Sequence, residues 1–151
     1  MSTRGIWRVL ILSGNGIEHG LLSLACLHVG VPFVLVSTAY SLLSTDVARL
    51  RDIAAVVRPG LIFADDGGRY AAVMRACAPE DAEVVIVQGD PGRSATPFDA
   101  LLATTPTSAV KSAAGAVHSG TVANISTMAS RYRARSKRRP ATCVRARHSC
   151  T

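Results

Sequence analysis

The chain has little of several things, and each shortage excludes a class of protein. Its 151 residues hold no run of eighteen apolar residues, the length a helix needs to cross a bilayer. The most apolar opening stretch, "RVLILSG" (8–14), is far too short, and nothing in it resembles a secretory leader. There are four cysteines and no C-x-x-C pair, which argues against a disulfide framework or a redox motif. A reduced, cytoplasmic protein is the expectation. Cys143, His148 and Cys150 form a loose C-x4-H-x-C, but zinc sites use four ligands at recurring spacings, so no metal is expected there. Aromatic residues make up only 5% of the chain against 48% apolar. Any core is therefore built from Val, Leu, Ile and Ala.

The last two absences are local. No acid occurs from 124 onward and no glycine after Gly120. Nine of the 17 Lys and Arg and all ten acids fall in 1–123, a net charge of −1, and the remaining eight bases give 124–151 a net of +8. The overall charge of +7 therefore describes a basic tail on a near-neutral body. With only Ile125 and Val144 as large aliphatics, the tail cannot offset the entropy of ordering and is expected to be disordered. It would adhere to polyanions without specificity. One aromatic, Tyr132, provides poorly for stacking on nucleic-acid bases.

What the body does contain is rhythm. "WRVLILSG" (7–14), "VPFVLVS" (31–37), "LIFAD" (61–65) and "EVVIVQGD" (83–90) are short, β-branched apolar runs that predict buried strands. Helical patterns lie between them. Asn15 with Glu18 predicts a capping box opening a helix to Gly30. On that helix Leu21, Leu24, Ala25 and His28, widened by Leu22 and Leu27, give the inward stripe. Ser44 or Thr45 caps the next helix, whose face is Val47, Leu50, Ile53, Ala54 and Val57, stopped by Pro59 and Gly60. A third helix spans 68–79. Strict alternation predicts an α/β body with parallel strands joined by crossovers. After it comes a Pro/Ser/Thr loop (91–106) around a short helix at 98–103.

The chemical motifs are weak. "SGNGIEHG" (13–20) puts Gly14 and Gly16 after a strand, but a dinucleotide fingerprint wants its third glycine where His19 stands, and Gly20 comes one late. No acid closes the second strand to hold a ribose. Should NAD(H) bind nonetheless, Trp7 fluorescence would report it. His19 and His28, with Cys26 nearby, read as packed or partly solvated positions on a helix before they read as a catalytic pair. Asp65 and Asp66 follow the third strand, where α/β sheets place ligands, yet adjacent acids before Gly-Gly read first as a solvated turn. No G-x-S-x-G elbow or Walker A loop occurs.

Taken together, "VLILSGNGIEHGLLSLACLHVGVPFVLVSTAYSLLSTDVARLRDI" and "RPGLIFADDGGRYAAVM" resemble the N-terminal part of the AMP-forming acyl-CoA synthetases, with the feruloyl-CoA synthase branch the best match. The resemblance rests on Ser13-Gly14-Asn15, Gly30-Val31-Pro32 and the segment Tyr40 to Ser44, and it covers about residues 9–123. It implies that 1–123 is part of the large α/β N-terminal domain of an adenylate-forming enzyme. It further implies a reaction in which a carboxylate, aromatic in this branch, attacks ATP with magnesium to form an acyl-adenylate, and coenzyme A then displaces AMP. The family holds the phosphates on amides of a Ser/Thr/Gly-rich loop, aided by a late lysine. That loop should begin directly after "SGTVA" (119–123), where this chain reads "NISTMASRYRARSKRR". No catalytic, cofactor-binding or metal-binding residue of the family has a matching position to receive it. The expectation is an inactive fragment, to which ATP, Mg and CoA do not bind productively, with the reading frame lost near residue 124.

Overall fold

A computed structural model of the chain describes residues 7–36, 38 and 47–126. The four apolar runs are strands: β1 (Val9–Leu12), β2 (Phe33–Val36), β3 (Leu61–Asp66) and β4 (Glu83–Gln88). Two short strands join them, β5 (Thr96–Pro97) and β6 (Asn124–Ser126). All pairings are parallel, in the order β5-β4-β3-β1-β2-β6. The helices are α1 (Ile17–Val29), α2 (Val47–Val57), α3 (Gly67–Cys77), α4 (Phe98–Leu102) and α5 (Ser108–Gly115).

Strand alternation builds two cores. Leu10, Leu12, Val34, Val36, Ile62, Ala64 and Val84 face one way and pack with Leu50 and Val57 of α2 and Tyr70, Val73 and Met74 of α3. Val9, Ile11, Phe33, Phe63 and Val85 face the other way, against Leu22 and Cys26 of α1 and Phe98 of α4. Phe63 and Phe98 meet edge to face, ring centroids 5.6 Å apart, an arrangement aromatic quadrupoles favour. Burial on both faces is why the strands are apolar without alternation.

Three expectations need correction. The capping box does not form: the N-cap of α1 is Gly16, with no side-chain hydrogen bond, and Asn15 is exposed before it. Of the expected inward stripe on α1, only the flanking Leu22 faces the core. Leu22 and Cys26 are buried, while Leu21, Leu24 and Leu27 are exposed large hydrophobics and Ala25 and His28 are exposed as well. Third, residues 124–126 are not tail: β6 pairs with β2, Asn124 opposite Phe33 and Ile125 opposite Val34. The sheet therefore extends past 123, and Ile125 packs on the α2–α3 core.

Other boundaries hold closely. Gly30 adopts φ 70 and its amide donates to carbonyls of the last turn of α1, the left-handed stop glycine supplies without strain. In α2, Leu50, Ala54 and Val57 are buried and Ile53 is partly so, as the periodicity predicts. That helix ends on Arg58 in left-handed geometry, φ 45, its amide donating to the Ala54 carbonyl at 2.8 Å. The expected caps Ser44 and Thr45, the Tyr40 to Ser44 segment, and Cys143, His148, Cys150 and the basic run lie outside the described residues.

Candidate functional site

Because β2 lies on one side of β1 and β3 on the other, the chain reverses direction across the sheet there. The crevice beyond the carboxyl ends of β1 and β3 is where open α/β sheets place ligands. The residues that reach it are Ser13 and Gly14 after β1, His19 in the first turns of α1, and Asp65 and Asp66 closing β3. The sequence marks Gly14, His19, Asp65 and Asp66 as motif positions and Ser13 only through the resemblance.

The structure brings them together. The Gly14 amide donates to Asp65 Oδ2 at 3.0 Å, a bond between segments 51 residues apart. The His19 ring nitrogen Nδ1 lies 2.8 Å from Ser13 Oγ and 3.0 Å from the Gly14 carbonyl oxygen. A carbonyl only accepts, so in the tautomer with its hydrogen on Nδ1 the ring donates to Gly14. The pair has little access to solvent, Ser13 being only 6% exposed. It is a clip that ties the start of α1 to the end of β1. The second carboxylate oxygen, Asp65 Oδ1, is buried without a hydrogen-bond partner among the described residues.

Asp66 works locally. It is the N-cap of α3, its Oδ1 accepting from the Arg69 amide at 3.0 Å. Gln88 Nε2 reaches its other oxygen at 3.5 Å. Gly89, at φ 77, lies so close that a Cβ there would stand 2.6 Å from Asp66 Oδ1 and 2.9 Å from the Gly68 nitrogen. A Cβ on Gly67 would meet the Pro91 nitrogen at 2.8 Å. The start of α3 is therefore covered by its own cap and by the 89–91 turn. The adjacent acids are a tether and a cap rather than a solvated turn.

His28 is exposed at the far end of α1 and takes no part. Cys26 is buried on the inner face, and burial pushes its thiol from the ordinary 9.0 up to about 11, which keeps it protonated and unreactive. Burial also raises Cys77, offset in part by Arg51. Among the described residues no three His, Cys, Asp or Glu side chains are placed to hold a metal ion.

The opposite end of the sheet carries an open cleft of about 980 Å³ rimmed by Trp7, Arg8, Arg51, Arg58, Cys77 and Asp81. It invites an anion, but two of its guanidinium groups are committed. Arg8 donates to the Val57 carbonyl at 3.0 Å and Arg51 to the Ala76 carbonyl at 3.4 Å. These are carbonyls in the last turns of α2 and α3, where partial negative charge gathers and cations are favoured. Arg93, which no sequence signal marks, does the same for the loop before β4, donating to the carbonyls of Pro79, Glu80 and Ala82 at 3.0–3.4 Å.

The fold and this crevice define a small parallel α/β unit whose switch point is closed by its own hydrogen bonds. Compared with known proteins, the chain matches no family model, no curated protein and no solved structure. No described helix is long and apolar enough to cross a membrane.

Proposed function

We propose that residues 9–123 are the N-terminal section of an AMP-forming acyl-CoA synthetase of feruloyl-CoA synthase type, and that this chain does not itself catalyse the ligation. One observation carries the reading. The residues behind the resemblance sit where the sheet turns: Ser13-Gly14-Asn15 links β1 to α1, and Gly30-Val31-Pro32 links α1 to β2. β6 runs parallel beside β2, so its own carboxyl end lies at the edge at which α/β folds bind phosphates.

Inactivity follows from what that edge offers. Joining a carboxylate to ATP brings two anions together, which needs free backbone amides or cations aimed at the transferring charge. Here the Gly14 amide is held by Asp65 and the start of α3 is covered. Residues 121–151 have no glycine with which to form a phosphate cradle. Among the described residues, the groups at this edge do not fit ATP, magnesium or coenzyme A. The test is AMP release from ATP, CoA and ferulate or a related aromatic acid. No release above the buffer rate is expected; turnover by this chain would overturn the assignment of inactivity.

A further inference from the structure

The turn between β1 and α1 carries a reactive pair that the proposed function does not use. The chain has two asparagines, Asn15 and Asn124, and both are exposed. Asn15 is followed by Gly16, also exposed, and Asn124 by Ile125 in β6. That difference decides their chemistry. An asparagine side chain can be attacked by the backbone nitrogen of the next residue, and glycine presents that nitrogen with no Cβ beside it. A β-branched neighbour crowds the approach. The fold adds to the contrast. β6 is held in the sheet by β2, whereas Gly16 is the N-cap of α1 in extended geometry, where the amide stands outside the helix ladder. That amide donates across a three-residue turn to the Gly14 carbonyl at 3.1 Å, and Asn15 caps nothing.

We propose that Asn15-Gly16 is a site of spontaneous modification, at which Asn15 becomes aspartate or isoaspartate and the ties of the crevice loosen. Once base removes its proton, the Gly16 nitrogen bonds to the side-chain carbonyl carbon of Asn15. The carbon–nitrogen bond of the side-chain amide breaks, and ammonia leaves. Water then opens the cyclic imide. Opening at the side-chain carbonyl gives an ordinary aspartate. Opening at the main-chain carbonyl gives isoaspartate, in which the backbone runs through the side chain. Water is the co-reactant, and nothing is oxidised or reduced. Isoaspartate inserts a carbon into the main chain directly after Gly14. Gly14 is held on both sides, its amide by Asp65 and its carbonyl by His19, so the insertion pulls on the bonds that close the switch point.

The test is peptide mass mapping of the full chain after incubation in mildly alkaline buffer, folded and in guanidinium chloride. Asn15 should exchange amide for acid in the folded chain at a rate within roughly tenfold of the unfolded chain, while Asn124 keeps its amide. A Cβ on Gly16 would meet Glu18 Oε2, the end of a flexible side chain, at 3.2 Å, so Gly16→Ala keeps the turn. It should slow the exchange at least about tenfold by crowding the nitrogen. Asn15→Gln, whose longer side chain closes the ring poorly, should remove it, and circular dichroism checks that both variants fold. The isoaspartate form, isolated by chromatography, should unfold at lower denaturant than the unmodified chain. Protection of Asn15 by the fold beyond that margin, an equal rate at Asn124, or a Gly16→Ala rate equal to the native one overturns the modification site. An unchanged midpoint for the isoaspartate form overturns the loosening of the crevice.

Discussion

α1 and α3 do the same job on opposite faces of one sheet, and they do it differently. Each follows a strand ending at the crevice and leads toward the next parallel strand. α3 is capped by Asp66 and buries Tyr70, Val73 and Met74, with arginines at 69 and 75 turned outward. α1 has no side-chain cap and buries only Leu22 and Cys26, although its sequence, IEHGLLSLACLHV, is the more apolar of the two. A helix's overall hydrophobicity thus says little about how much of it is inside. α3 is held by its inner face; α1 carries a second apolar face for which this fold has no use.

The sharpest way to probe that contrast is to truncate both helices. Met74→Ala removes a side chain 1% exposed and should cost about 2–5 kcal/mol in urea unfolding. Leu24→Ala on α1 should stay within about 0.5 kcal/mol. Equal losses would mean that α1's outer face is packed after all.

Next in size is an effect of pH. The Cys26 thiol is raised in the folded state, so the unfolded chain loses that proton first as pH rises. Stability from this group is complete below pH 9 and is lost as pH climbs toward about 11, a decline of up to about 2 kcal/mol. Cys26→Ala should flatten that slope in unfolding curves taken across the window. An unchanged slope would show that Cys26 is not the titrating group.

The smallest effect belongs to the helix starts. Asp66→Ala should cost about 1 kcal/mol by removing the α3 cap. Asn15→Ala before α1 should be nearly silent, because Asn15 caps nothing. A loss at Asn15 equal to that at Asp66 would restore the capping box that the sequence suggests and the structure lacks.

How much could be read beforehand follows the same division. Strands buried on both faces have no direction to choose, so β1 to β4 and their parallel order of alternation were legible. For α1 the pattern contained two candidate faces, and the richer in leucine was the outer one; only the sheet decides between them. β5, α5 and β6 were missed because each is short, two to eight residues long, too few to show a period of its own. At the crevice, His19, Asp65 and Asp66 could be named from position alone. Their roles could not, since the Gly14–Asp65 bond joins segments 51 residues apart and the His19 tautomer depends on two oxygens meeting one nitrogen.

The central proposal is that residues 9–123 derive from an adenylate-forming enzyme whose phosphate loop is lost just beyond. The coding DNA immediately after codon 123, read in all three frames, tests it most directly. The account predicts that one of the alternative frames encodes a Ser/Thr/Gly-rich loop followed by a lysine. If neither does, the claim is contradicted.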